Sequence, residues 1–246
     1  MKTNEEYWKE RSEKYNKLKW IDKNELLESM VEFAGDVTGK RVLDLGTGTG
    51  KVLTYFKSKF PEAEYHGVDI SPDMIQYIDK ELDFKLDVCA MENLEIFEDN
   101  YFDVVTARMC IHHSDDIDKA FKEVRRILKD GGLFIVCEGT PPNRECVDFY
   151  ENMFKYKEER HTFLLDDLTN WYVNEDFNNI HSKTIVSKNM SLNNWVENSG
   201  IEEENKAIIK KLHYEAPEHV KKAYGMREEN NDLIMNWKFV VVCGEK

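Results

Sequence analysis

The run Val42-Leu43-Asp44-Leu45-Gly46-Thr47-Gly48-Thr49-Gly50 constrains this chain more than any other stretch. Its first half reads as a short buried strand, and three glycines at alternate positions follow at once. With no Cβ on any of them, the backbone can turn sharply and come close to a ligand. Lys51 to Phe56 has the character of a first helical stretch, whose free N–H groups would face the same point. A strand, a glycine turn and a helix N-terminus in succession make a nucleotide-type pocket at the carboxyl end of a parallel strand.

Details of spacing narrow the ligand. A dinucleotide turn is Gly-x-Gly-x-x-Gly. Gly46 and Gly48 fit it, but Lys51 stands at its third position and the third glycine, Gly50, comes one residue early. A phosphate-binding P-loop needs Ser or Thr after its lysine, and Val52 follows Lys51. Asp44 would repel a pyrophosphate, whereas it can support a cationic group directly or through water. Asp69 closes a second strand 19 residues beyond Gly50. An acid at that distance reaches ribose hydroxyls from the neighbouring strand tip; a strand-end Asp that merely caps a helix is the plainer alternative.

The surrounding chain alternates strand and helix. Strands are expected at Arg41–Leu45, Ala63–Asp69, Phe84–Val88, Phe102–Ala107 and Leu133–Cys137, and helices at Lys51–Lys59 and Ile117–Leu128. Ser71-Pro72 supplies an N-cap and first helical residue. Asp130-Gly131-Gly132 is a turn. This alternation implies a parallel sheet with helices on both faces. After Gly139 the pattern changes: 141–182 is aromatic, charged and mostly helical, Ser182–Ser187 is a sixth strand, 191–235 is helical, and Trp237–Cys243 is the last strand. The segment 191–235 is too long for a simple connection. Residues 1–38 are expected to form two helices, either a solvated arm or a lid in which Trp8 and Tyr15, seven residues apart, share a face.

The 246 residues, 41% of them hydrophobic, can bury one domain or one domain with a cap. A net charge of −14 argues against a broad nucleic-acid surface. Cys89, Cys110, Cys137, Cys146 and Cys243 include no C-x-x-C pair, so no structural zinc site is expected. The odd cysteine count, the absence of a signal peptide and the absence of an apolar run of about 20 residues set the expectation of a soluble cytoplasmic protein with no membrane partner.

The glycine stretch resembles motif I of the class I S-adenosylmethionine (SAM) methyltransferases, and Gly67-Val68-Asp69-Ile70-Ser71-Pro72-Asp73-Met74-Ile75 resembles their motif II. Asn100 to Val105 resembles the start of the family's fourth strand, and Lys129-Asp130-Gly131-Gly132-Leu133 its late turn. From Arg41 to about Gly139 the chain is similar to small-molecule members, including the ubiquinone/menaquinone C-methyltransferase-like branch. The resemblance implies an α/β Rossmann-like three-layer sandwich, its mostly parallel seven-stranded sheet ending in an antiparallel strand, with a helical N-terminal arm and helical cap insertions. It divides a single domain, 1–246, into an arm or lid (1–38), a SAM-binding core (39–140), a substrate cap (141–182 and 191–235) and the last strand (236–246).

It also implies site residues. Asp44, Gly46, Thr47, Gly48 and Gly50 would cradle SAM, Asp69 would take the ribose, and Ile70 and Met74 would pack at the adenine. The adenine amine would meet either Ala90 and Met91, through the backbone, or Asp87. Ala107, Arg108 and Met109 leave the fourth strand near the methionine end, and Tyr15 would add a contact from the arm. His113, with His112 as second choice, and Glu138 at the crevice edge are candidate bases, unless the histidines only cap a helix start and the acid only faces water. No zinc pair is expected there, since adjacent side chains point apart and no third ligand is near in sequence. The charge run Lys157-Glu158-Glu159-Arg160-His161 reads as solvated. Phe149, Tyr150, Phe154, Tyr156, Trp171, Tyr172, His213 and Tyr214 suit either a selective cavity or an ordinary core. The activity implied is in-line methyl transfer to an O-, N- or C-nucleophile of a small molecule, releasing S-adenosylhomocysteine. Alternatives are an RNA or protein methyltransferase, a dehydrogenase, and a SAM-binding protein without catalysis.

Overall fold

The strand β1 (Arg41–Leu45) is buried at every residue after Arg41, as a strand in a parallel sheet covered on both faces must be. A computed structural model describes Leu18 and residues 24–246. Around β1 lie β2 (Glu64–Asp69), β3 (Lys85–Val88), β4 (Phe102–Arg108), β5 (Leu128–Thr140), β6 (Asn178–Ser191), β7 (Arg227–Glu229) and β8 (Asp232–Glu245). The sheet order is β3-β2-β1-β4-β5-β8-β6, with β7 paired to β8. The first five strands run parallel, and β8 is antiparallel to β5 and β6. Strand order reverses at β1, with β2 on one side and β4 on the other. A crevice opens at the carboxyl ends of strands at such a point.

Period-two alternation sends neighbouring residues to opposite faces. Leu43, Val105, Phe134 and Val242 meet α4 (Ile117–Ile127) and α6 (Leu165–Asn174) on one side. Val42, Val104, Ile135 and Val241 meet α1 (Asn24–Ala34) and α2 (Lys51–Lys59) on the other. Between these helices come α3 (Pro72–Ile75) and α5 (Val147–Phe154), and α7 (Leu192–Glu197), α8 (Glu203–Tyr214) and α9 (Glu218–Tyr224) follow β6. A third apolar cluster joins α5, α7, α8 and α9 to the ends of β6 and β8 through Tyr150, Met153, Trp195, Ile209, Val220 and Met235.

The structure departs from the sequence reading in instructive places. The sheet holds eight strands, because residues 226–235, expected to be helical, form the β7–β8 hairpin. Asn230 and Asn231 turn it at φ 50° and 60°, the left-handed pair that a two-residue hairpin turn requires. β5 extends past Leu133–Cys137 because the Gly131-Gly132 turn joins the ladder: Lys246 N–H donates to Gly132 O at 2.9 Å and Gly131 N–H to Lys246 O at 3.2 Å. Of the two helices expected in residues 1–38, α1 is described; the rest of that expectation, with Tyr15 and Trp8, lies outside the described residues. Among the described residues, no helix is long and apolar enough to cross a membrane.

Candidate functional site

The glycine turn is held open by its backbone. Gly46 sits at φ 54°, and a Cβ there would stand 2.5 Å from Cys110 Cβ, so any other residue at 46 would push the turn off the segment behind it. Gly48 and Gly50 share the left-handed conformation. Thr47 N–H donates to Val68 O at 2.9 Å and Gly50 N–H to Thr47 O at 2.8 Å. Asp69 ties the turn to the β2 tip: Oδ2 accepts from Gly48 N–H at 2.8 Å and Oδ1 from Ser71 N–H at 2.9 Å. Met74 is buried with its Cε 3.2 Å from where a Gly48 Cβ would lie.

Next to this carboxylate an apolar side chain stands in water: Ile70 is 64% exposed. Cys89 N–H donates to Asp69 O at 3.2 Å and leads the chain to half-buried Ala90 and Met91 beside the same tip. Asp87 lies inside β3, opposite Val68. The turn, the carboxylate and the exposed isoleucine thus offer backbone amides, an acceptor for hydroxyls and an apolar platform in a row.

Asp44 is buried between β1 and β4, where its Oδ1 accepts the Thr106 hydroxyl at 2.7 Å. Burial pushes its carboxyl up to about 7, while the Thr106 bond and the Arg108 charge pull the other way. A carboxylate so poorly hydrated is matched to a cationic partner. Ala107 is buried opposite Leu45 and Val136, and Arg108 opposite Cys137. At Met109 the chain turns away at φ 56°. Met109 N–H donates to Cys137 O at 2.8 Å, its Sδ accepts Gly139 N–H at 3.1 Å, and Cys110 Sγ donates to Leu45 O at 3.2 Å. The exit from β4 is therefore wedged between the tips of β1 and β5.

That wedge delivers the short 3₁₀ turn Ile111–His113 to the end of β5. His112 Nδ1 lies 2.7 Å from Glu138 Oε2, and His112 N–H donates to Oε1 at 3.3 Å. Of the two candidate histidines, it is His112 that pairs with Glu138 and lines a cavity. Glu138 is fully buried rather than set at a wet crevice edge. Burial pushes its carboxyl up to about 7, opposed first by the Arg160 charge. A carboxylate on Nδ1 fixes the ring and leaves Nε2 as the basic nitrogen.

The cavity, of about 80 Å³, has Met109, His112 and Gly139 on its sheet side and Tyr150, Phe154 and Trp195 on its outer side. Three of its charged residues come from the run expected to be solvated, and Lys238 of β8, whose Nζ donates to Pro142 O at 3.0 Å, is a further one. Lys157 is buried, Glu158 and Arg160 have buried side chains, and only Glu159 and His161 are exposed. Residues 155–164 cross the sheet's carboxyl edge and are pinned there: His161 N–H donates to His112 O at 2.9 Å, and the Thr140 hydroxyl to Phe163 O at 2.7 Å. Sequence gives no local sign of this burial, because the partners lie far along the chain. His213 also lines the cavity, with its pKa pushed down to about 4 by burial. Trp171 and Tyr172 instead pack in the sheet core, and Tyr214 is exposed.

The two adjacent histidines do not point apart. Their ring centroids are 4.2 Å apart, and ligand atoms of His112, His113 and Glu158 lie within 4.8 Å of one another. Glu158 already meets the Lys157 ammonium, and Arg160 Nη1 stands 3.6 Å from its Oε1. The protein thus supplies at Glu158 the positive charge that an ion would bring.

Comparison with known proteins places this fold. A family model described as a methyltransferase domain matches residues 43–136, from the glycine turn to β5. A ubiquinone/menaquinone biosynthesis C-methyltransferase, UbiE, of Desulfotalea psychrophila is 33% identical over 133 residues, 52% of this chain and 53% of that protein; the match spans about half the relative's length. The uncharacterized methyltransferase YcgJ of Bacillus subtilis is 26% identical over 88% of each chain. The YcgJ crystal structure superposes with a TM-score of 0.78 at 20% identity, over 91% of this chain and 98% of that one. A phosphoethanolamine N-methyltransferase 2 of Haemonchus contortus, in complex with phosphomonomethylethanolamine and S-adenosylhomocysteine, gives a TM-score of 0.63 at 22% identity, over 91% of this chain and 52% of that one.

Proposed function

We propose that this chain, whose residues 43–136 match a methyltransferase domain, acts as a class I SAM-dependent methyltransferase on a nucleophile of a small molecule held in the cavity beneath α5 and α7. Asp44, Gly46, Thr47, Gly48 and Gly50 would hold the donor's amino acid end, with backbone carbonyls from Ala107 to Met109 toward its ammonium. Asp69 would take the ribose, and Ile70, Met74, Ala90 and Met91 the base. When bound, SAM supplies an electrophilic methyl group on a sulfonium sulfur. In the same reading, 39–140 is the donor unit, and 141–182 with 191–225 encloses the acceptor.

The observation that carries the proposal is the His112–Glu138 pair, 2.7 Å apart, with His112 on the cavity wall and Glu138 buried behind it. Only Met109 to Ile111 separates it from the strand tip that backs the glycine turn. His112 Nε2 takes the proton of the acceptor's hydroxyl, amine or acidic carbon as it becomes nucleophilic. Glu138 holds the resulting imidazolium by charge and hydrogen bond. The aromatic wall keeps water from the reacting groups and fixes the acceptor's orientation, which contributes much of the rate in bimolecular transfers.

Calorimetry with SAM, S-adenosylhomocysteine and NAD tests the donor assignment. The first two should bind and NAD should not; binding of NAD in their place overturns it. Asp69→Ala should weaken SAM binding by roughly 10- to 100-fold, the value of a hydrogen bond to a charged group together with the turn it orders. A radiolabelled methyl screen of phenols, amines and quinol-like acceptors tests transfer, with His112→Ala as the control that should abolish the signal.

A further inference from the structure

The cavity described above contains a cation whose bonding is unfinished. The Arg160 side chain is 2% exposed. Its Nε donates to His161 O at 3.3 Å, and its Nη1 stands 3.6 Å from Glu158 Oε1, an ionic rather than a hydrogen-bonding distance. Nη2 is buried with no hydrogen-bond partner among the described residues. A guanidinium cannot shed its proton to escape such a site. A buried, unpaired donor on a permanent charge carries a desolvation cost that an oxyanion bound beside it would relieve.

Neighbouring acids do not fill it. Glu158 is shared between two cations, and Lys157 closes on its other oxygen. Glu138 is committed to His112. The guanidinium lies over the rings of Phe154, at 4.4 Å, and Tyr150, at 5.4 Å. Stacking occupies its faces and leaves its edge, where the N–H groups lie, for a planar oxyanion. Trp195 and Trp237, 5.5 Å apart and nearly perpendicular, line the same cavity and suit a flat apolar body. His112 Nε2 is 4.0 Å from the Glu158 oxygen that faces Arg160, and base and guanidinium line the same cavity.

We infer that the acceptor is a small aromatic molecule bearing an oxyanion, a carboxylate or a phosphate monoester, and that Arg160 is the residue that anchors it. The inference rests on the reading of this cavity as the acceptor site. It adds a requirement that the methyl-transfer proposal does not make: the acceptor's acid group is read at a place distinct from its nucleophile.

Three probes of similar size decide it: benzoate, phenyl phosphate and the neutral benzamide. Each is titrated into protein preloaded with S-adenosylhomocysteine and followed by calorimetry and tryptophan fluorescence. At least one anion should bind about tenfold or more tighter than benzamide, and the better of the two identifies the acid. Arg160→Gln should erase that preference while leaving S-adenosylhomocysteine affinity and benzamide binding unchanged. Arg160→Lys, which keeps the charge without the fork, should retain part of it and serves if the glutamine variant does not fold. Equal binding of anion and amide, a preference that survives in both variants, or no binding of either anion at millimolar concentration overturns the inference. If S-adenosylhomocysteine does not bind, the titration is run on the free protein. An Arg160-dependent preference there sustains the anion site and overturns the methyl-transfer reading. Binding of S-adenosylhomocysteine with no such preference does the reverse.

Discussion

Asp44 and Glu138 are carboxyls that the fold holds almost dry, and both are pushed up to about 7. For each, the folded state keeps a proton that the unfolded chain gives up near its ordinary value of 3.8 or 4.5. Their contribution to stability is therefore full below about pH 4 and is lost as pH rises through about 7, opposite in sign to a salt-bridged carboxylate. A cation placed beside Asp44 reverses this by favouring the charged form. SAM affinity should accordingly rise with pH up to about 7 and level off above it, with proton release on binding near pH 6, seen by calorimetry in buffers of different ionisation heat. Asp44→Asn should remove both the pH dependence and the proton release. At the dyad, His112→Ala should lower kcat by roughly 10² to 10⁴, the usual yield of general base catalysis. Glu138→Gln should lower it less, and His113→Ala should stay close to the parent protein. Both histidines were visible in the sequence, but which of them pairs with Glu138 was not. The left-handed Met109 and the one-turn 3₁₀ segment decide which ring reaches β5, and neither leaves a mark in spacing alone.

Elements built from local periodicity could be read before folding. β1, α2 and the acid at the end of β2 follow from alternation, glycine chemistry and distance along the chain. Elements whose character depends on remote partners could not. The Lys157 to His161 run looks solvated until residues 155–164 are pinned across the sheet edge and Arg160 is stacked on Phe154. The β7–β8 hairpin was hidden by polar residues that suit a helix equally well, although Asn230-Asn231 was a turn signal to weigh. Helix α6 shows how tightly such remote partners fit. Its Tyr172 hydroxyl lies 3.2 Å from Phe134 O and 3.1 Å from Val242 O, and a Cβ on Gly244 would stand 2.5 Å from its ring. Tyr172→Phe leaves buried carbonyls with one partner fewer and should cost about 1–2 kcal/mol in urea unfolding. SAM affinity should not change, since α6 packs on the sheet face away from the glycine turn's helix.

At the scale of the whole molecule, the two faces of the sheet and the α5, α7–α9 cluster are separate apolar bodies joined along β6 and β8. The turn that would hold the donor draws on the first two bodies, and the cavity draws on the third. Donor and acceptor recognition should therefore separate under mutation. Trp195 is the residue to change: it packs on Trp237 at 5.5 Å and on Phe154 at 5.9 Å, in the third cluster rather than at the glycine turn. Trp195→Ala should lower kcat/KM for an acceptor by roughly 10- to 100-fold, since one aromatic wall and the orientation it imposes are lost. The SAM dissociation constant should move less than twofold. Hydrogen exchange supplies the spatial half of the same prediction. S-adenosylhomocysteine should slow exchange at residues 44–50 and 69–71, and leave residues 192–224 unprotected until an acceptor or an anionic probe is added. Protection of both regions by the donor alone would mean that the third cluster closes on SAM itself, and that donor binding shapes the acceptor site before any acceptor arrives.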